Sequence, residues 1–242
     1  MLLHNSSLFR IYFGNAQDQL YPNDYLHYPA GVPLLSLEPY ARLKKLLTID
    51  NLLFLRQIHS ATGLVVTPDA SETVIPFVTQ GDFLVTQKRH LGIGVMTADC
   101  LPLIFYDRFN RVIAVVHAGW RGSVNGVAGN AVKALQDTYG TDLEQLKIFF
   151  GPSAKVCCYK VGDEVIDHVQ MSSWGHQTIQ KHGDSYFFDL PLFNKLQLES
   201  IGVKKEAFRF EYNLCTIDDD IFFSYRRQAD RAGRQMTVVC LK

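Results

Sequence analysis

The sequence predicts an α+β fold, with mixed β-sheets packed together and flanked by helices in a single domain over residues 1–242. Three observations carry that expectation. Short apolar runs of strand character recur along most of the chain. Helical periodicity separates some of them, most clearly after His117. Two runs are joined only by Asp107-Arg108-Phe109-Asn110, a turn tight enough for a local hairpin. Hairpins together with interspersed helices call for mixed rather than purely parallel sheet.

From the start, Tyr21–Pro39 holds four prolines (Pro22, Pro29, Pro33, Pro39) and reads as a loop or irregular edge. Strands are expected over Leu52–Ile58, Phe83–Thr86, Leu91–Thr97, Leu101–Tyr106 and Arg111–His117. Val112-Ile113-Ala114-Val115-Val116 is apolar at every position, which marks a strand covered on both faces. Val124, Val127, Ala128, Ala131, Val132 and Leu135 then follow helical spacing. Ser123 is placed to cap that helix and Gly140 to end it, while Thr141 and Glu144 have capping-box spacing. Further strands are expected over Leu146–Phe150, Tyr186–Leu190, Ala207–Tyr212, Ile221–Ser224 and Met236–Leu241. Asp163–Met171 and Pro191–Ser200 are the remaining helix candidates.

A chain of 242 residues, 47% apolar, can bury roughly 70–75% of its unfolded surface without covalent staples. Lys+Arg and Asp+Glu each number 24, so a zero formal charge gives no electrostatic reason to expect nucleic acid or an anionic membrane as partner. Five cysteines, an odd number without framework spacing, fit free thiols in a reducing compartment. Met1-Leu2-Leu3-His4-Asn5-Ser6 lacks the basic and apolar regions of a signal peptide, and no run approaches the ~18 apolar residues of a membrane span. The expectation is a cytoplasmic protein, monomeric or homodimeric.

The chemistry gathers at strand borders. Cys100 stands in Thr97-Ala98-Asp99-Cys100, His117 opens His117-Ala118-Gly119-Trp120-Arg121-Gly122, and His59 ends another apolar run. Two imidazoles and a thiolate make a three-ligand set for a borderline metal with one position open. The spacing is permissive, and the same residues also fit a buried thiol with two hydrogen-bonded histidines. Asp99 is a candidate to orient a ligand or to act as acid or base, with its side chain opposite that of Cys100 if the backbone is extended. Gly119 to Ser123 lead from strand to helix, where free N–H groups and the Arg121 fork favour an anion. Arg226, Arg227, Arg231 and Arg234 form a cluster suited either to an anionic substrate or to a solvated surface, and Trp120 and Tyr225 are candidates to stack a ring.

Gln57-Ile58-His59-Ser60, Gly81 to Thr86, Thr97 to Pro102, His117 to Gly122, Gly151-Pro152, Tyr159 to Gly162, Cys215-Thr216 and Phe222 to Arg227 occur in that order. Together they resemble the laccase-domain family, also called polyphenol oxidoreductase-like or peptidoglycan editing factor proteins, over roughly residues 50–242. The resemblance implies layered sheets and helices similar to the cytotoxic deamidase toxins. It implies zinc held by His59, Cys100 and His117, with copper as the alternative. It implies phosphorolysis of adenosine, inosine, guanosine and methylthioadenosine, and deamination of adenosine, with a nucleoside and phosphate as the small-molecule partners. Within it, Asp99, Cys100 and His117 are the expected catalytic residues, and Gln57, Arg121 and Arg226 the expected substrate-binding ones. The sequence departs from the family near its start: Ala16 stands where an arginine belongs, and Ala232 replaces a threonine before Gly233-Arg234. Two rival chemistries use the same residues: a metal-free cysteine hydrolase with Cys100 as nucleophile and His117 as base, and a copper-dependent phenol oxidase.

Overall fold

The computed structural model describes residues 2–21, 32–67 and 74–242. In chain order its strands are β1 (Leu2–Asn5), β2 (Phe9–Phe13), β3 (Asn51–Phe54), β4 (Gly63–Val66), β5 (Phe83–Thr86), β6 (Leu91–Thr97), β7 (Leu101–Asp107), β8 (Val112–Ala118), β9 (Leu146–Phe150), β10 (Lys160–Val161), β11 (Ile179–His182), β12 (Ser185–Phe188), β13 (Phe208–Arg209) and β14 (Gln235–Leu241). The helices are α1 (Ala41–Leu47), α2 (Trp120–Val124), α3 (Val127–Tyr139), α4 (Asp163–Gln170), α5 (Leu190–Ser200) and α6 (Tyr225–Gln228). Among the described residues, one sheet runs β1-β2-β14-β6-β3, a second β13-β9-β7-β8-β5-β4, and a small third β10-β12-β11. The two larger sheets mix parallel and antiparallel pairs, so the α+β expectation holds. No helix among these residues is long and apolar enough to cross a membrane.

Side-chain alternation on the strands builds the layers. On β8, Val112, Ala114, Val116 and Ala118 face a core shared with α3 and α5, while Ile113 and Val115 face the other large sheet. On β14, Val239 and Leu241 enter that inter-sheet core, and Met236, Val238 and Cys240 turn outward to meet Leu43 and Leu47 of α1. Helix, sheet, sheet and helix thus stack in order. β8 is covered on both faces and flanked by β7 and β5, as its uninterrupted apolar run requires. The β7–β8 turn also forms as expected: Asp107 Oδ1 accepts from the backbone N–H of Phe109 at 2.8 Å and of Asn110 at 3.0 Å.

Several boundaries depart from expectation. The helix after His117 breaks at Asn125-Gly126, where Gly126 adopts φ +85°, so α2 and α3 are separate. Ser123 lies inside α2 rather than capping it, and its Oγ accepts from the Asn194 amide at 2.9 Å. Gly140, at φ +65°, ends α3 as expected. Asp142, not Thr141, caps the turn at Leu143–Gln145, because its carboxylate accepts from Glu144 N–H. Ile221–Ser224 is not a strand; Ser224 instead caps α6. Ala207–Tyr212 shrinks to β13, Leu52–Ile58 stops at Phe54, and Tyr186–Leu190 ends at Phe188 because Asp189 caps α5. β1, β2, β4, β10, β11 and α1 lie outside the expected elements. Of the proline-rich segment, residues 22–31 lie outside the described residues, and the rest contains a 3-10 turn at Leu34–Ser36.

Candidate metal centre

The antiparallel register of β7 with β8 sets Leu101 opposite Ala118 and Pro102 opposite His117. Cys100, just before β7, therefore falls beside the end of β8. The chain is not extended at Asp99: φ is +81°, a left-handed bend rather than a strand. His59 follows β3 in an irregular segment and also has a positive φ, +58°. These two bends bring three distant side chains together.

The ligand atoms of His59, Cys100 and His117 all lie within 4.8 Å of one another. Cys100 Sγ is 3.9 Å from His59 Nε2, and the two imidazole centroids are 4.8 Å apart at 76°. Glycine at 119 lets the trio close: a Cβ there would sit 3.0 Å from both Cys100 Sγ and His59 Cδ2, tight enough to push them apart. Beneath the trio lies Asp82, only 1% exposed. Its Oδ1 pairs with His117 Nδ1 at 2.8 Å and accepts from His59 N–H at 3.0 Å, while Oδ2 accepts from Ser60 N–H and Oγ–H at 2.6 and 2.7 Å. One carboxylate thus fixes the ring of one ligand and the backbone of another. That leaves His117 Nε2 free to face Cys100.

The electrostatics follow from this packing. Burial works to raise the Cys100 thiol, but the charge and hydrogen bond of His117, with His59 adding to them, bring it down to about 6. Burial works to lower His117, but Cys100 and the hydrogen bond that His117 donates to Asp82 outweigh it and push the imidazole up to about 9. In metal-free protein, alkylation of Cys100 is expected to stay fast down to about pH 6, since the thiolate is the nucleophile. Cys157, held up to about 12 by burial and by hydrogen bonding with Cys158 and Cys215, should lag far behind at neutral pH. Peptide mapping by mass spectrometry checks both, and a Cys100 rate that climbs through pH 9 contradicts the assignment.

The trio opens onto a cavity of about 720 Å³. Arg56, Arg121, Arg226 and Arg234 line it, with the aromatic faces of Phe77, Trp120, Tyr159 and Tyr225. Gln57, Asp99, Arg121 and Arg226, the residues singled out in the sequence, all line this cavity. Their roles differ. The Gln57 amide is held at both ends by the Met96 backbone, at 2.7 and 2.8 Å, so it braces the cavity wall. Asp99 accepts from Thr216 Oγ–H at 2.7 Å, Ser224 Oγ–H at 3.0 Å and Arg226 N–H at 2.6 Å. Its carboxylate therefore positions α6 and the Cys100 bend, which is the orienting one of the two roles expected of it. Arg121 lies 4.2 Å over the Trp120 ring and pairs with Glu164 at 2.9 Å, and Arg226 lies over Tyr159 and donates to the Lys160 carbonyl. Within the C-terminal cluster only Arg226 and Arg234 line the cavity; Arg227 donates to the carbonyls of Thr216, Ile217 and Phe222.

The profile of the multi-copper polyphenol oxidoreductase laccase family matches residues 37–242. The chain belongs to this family. A purine nucleoside phosphorylase of Clostridium acetobutylicum is 28% identical over 203 residues, covering 83% of this chain and 81% of that protein. The adenosine deaminase RL5 of an unknown prokaryotic organism is 29% identical, covering 80% and 76%. Among solved structures, the hypothetical protein YfiH of Bacillus licheniformis superposes with a TM-score of 0.76 at 27% identity, covering 83% of this chain and 79% of its own.

Within this laccase-type family the donor set decides which group fits. Two imidazoles and a thiol, with donor atoms close enough to share one centre and a buried carboxylate orienting one ring, suit a borderline divalent ion. The cavity leaves its remaining vertex open. The residues whose roles the sequence did not reveal are Asp82, Arg56 and Tyr159. Asp82 was visible only as part of the Gly81 to Thr86 stretch, since its donors come from Ile58–Ser60, more than twenty residues upstream.

Proposed function

We propose that this chain is a zinc-dependent purine nucleoside phosphorylase, acting on adenosine, inosine, guanosine and methylthioadenosine, that also deaminates adenosine. The observation that carries the reading is the His59–Cys100–His117 trio at the wall of a cavity rich in guanidinium and aromatic groups. The names of the relatives in C. acetobutylicum and of RL5 support the two activities. Held by these three side chains, zinc would supply a Lewis acid to the substrate. The remaining work falls to the protein. Aromatic faces at Trp120, Tyr159 and Tyr225 pack a purine ring. Arg226 and Arg234 neutralise the phosphate that displaces the base, which is an electrostatic task. Ala16 does not line the cavity, so the guanidiniums there come from other parts of the chain. Asp82 keeps His117 in the tautomer that presents Nε2 to the metal.

The test is adenosine turnover with and without phosphate. Inosine released without phosphate marks deamination, and free base released only with phosphate marks phosphorolysis. Arg226→Ala is expected to cut the phosphate-dependent release on the order of 10²-fold while leaving inosine release nearly unchanged. The backbone N–H that holds Asp99 survives this substitution. Equal loss of both activities would sink the phosphate assignment.

The charged Cys100–His117 pair supports a second reading, nucleophilic attack by the Cys100 thiolate, whose proton His117 has already taken as base and then holds for the leaving group. Full activity in protein stripped of metal would favour it over the zinc reading. Oxygen uptake on a phenol with bound copper would favour the oxidase.

A further inference from the structure

We propose that Cys157, Cys158 and Cys215 form a second metal site, which takes a thiophilic d10 cation, Zn2+ or Cu+, in three-thiolate coordination. Their sulfurs all lie within 4.8 Å of one another, and Cys157 Sγ is 3.6 Å from Cys215 Sγ although 58 residues separate them. Metal–sulfur bonds of about 2.3 Å at tetrahedral angles place sulfurs about 3.8 Å apart, so the observed spacing needs little adjustment. A disulfide fits less well. Its sulfurs stand only about 2.05 Å apart, and it would leave the third converging thiol unused.

The backbone sets this convergence in advance. Cys158 N–H and Tyr159 N–H both donate to the Lys155 carbonyl, at 3.0 and 2.9 Å, and turn the two adjacent thiols toward one side. Ser153 N–H donates to the Leu214 carbonyl and the Ser153 carbonyl accepts from Thr216 N–H, each at 3.0 Å, which clamps Cys215 beside them. Lys155 Nζ donates to the Asn213 carbonyl at 3.0 Å and staples the same two loops. Cys157 is exposed and the other two are half-buried, so an ion can enter and a fourth vertex faces water. Binding replaces three S–H bonds by three S–metal bonds and releases up to three protons, with no change in oxidation state.

This site is separate from the His–Cys–His centre but linked to it through the chain. Cys158 precedes Tyr159, which lines the catalytic cavity, and Cys215 precedes Thr216, which holds Asp99. An ion bound there ties the two loops that carry these groups and is expected to raise the melting temperature.

The experiment reloads metal-free, fully reduced protein with excess Zn2+ or, anaerobically, with Cu+, followed by dialysis and elemental analysis. Wild type is expected to retain two equivalents of Zn2+, and both Cys100→Ala and Cys157→Ser one each. Co2+ in Cys100→Ala should show thiolate charge-transfer absorption about three times that of the single-thiolate centre left in Cys157→Ser/Cys215→Ser. If Cys100→Ala keeps neither Zn2+ nor Cu+, or keeps Zn2+ but shows no thiolate band with Co2+, the three-thiolate site does not exist. Retention of Cu+ alone or of Zn2+ alone supports the site and names its ion. Because these readouts are metal content and spectrum in a protein lacking Cys100, they stand apart from the test of the nucleoside reading.

Discussion

Cys100→Ala is expected to empty the His–Cys–His centre and abolish turnover of nucleosides. Cys100 supplies the sulfur of the trio and the opposite charge that raises His117. Without it, only the two imidazoles remain, one of them on an exposed segment. Metal affinity should fall by more than the roughly 10–100-fold that follows loss of an outer-shell partner. Turnover should fall beyond the roughly 10²–10³-fold that removal of one electrostatic donor brings. The fold should survive, because Cys100 lies at a half-buried bend rather than in the core. Elemental analysis of protein purified without chelator, with an adenosine assay, decides the matter. A Cys100→Ala protein that keeps its metal at this centre and full activity removes the mechanism.

Asp82→Ala is expected to be the most destabilising single change around the site. The carboxylate is buried and pairs with a buried imidazole at 2.8 Å. It also accepts from the backbone of His59 and Ser60. Truncation leaves those donors without an acceptor and His117 without its partner, which costs about 3–5 kcal/mol. Asp82→Asn keeps the volume but sets an amide where two N–H groups need acceptors, and should lower metal affinity by about 10–100-fold. The pH dependence has a definite sign. Burial pushes the Asp82 carboxyl up, but the hydrogen bond and charge of His117, with Ser60, hold it below its ordinary value of 3.8. Its stabilisation of metal-free protein is therefore present above pH 3.8 and lost as the pH falls through the folded value. His117 is raised, so its share is full below pH 6.5 and lost as the pH rises through about 9. Urea midpoints of wild type and Asp82→Asn should differ at pH 6 and converge in acid. A difference that does not shrink as the pH falls below 3.8 contradicts this account.

The strands buried on both faces were legible in the sequence. β5, β6 and β9 coincide with their apolar runs residue for residue. β2 was hidden because Arg10 interrupts it, and only the fold shows that guanidinium capped by the Leu47 carbonyl at 2.9 Å. The break between α2 and α3 was hidden because apolar spacing continues across Gly126; periodicity records which residues are buried, not which peptide turns left-handed. The trio itself was legible as residue types, but its closure depends on positive φ at His59 and Asp99, which neither residue type announces. Asp82 shows the same limit. A carboxylate before a strand looks ordinary until the loop carrying His59 wraps over it.

The position of β14 bears on how the molecule is made. This strand, Gln235–Leu241, runs between β2 and β6, so the N-terminal hairpin has no place in the sheet until it arrives. During synthesis β1 and β2 must wait, with an apolar face open to water, while more than two hundred residues emerge from the ribosome. Long-range pairing of this kind slows folding and invites association of nascent chains. Truncation before Gln235 is expected to yield aggregates rather than a shortened enzyme.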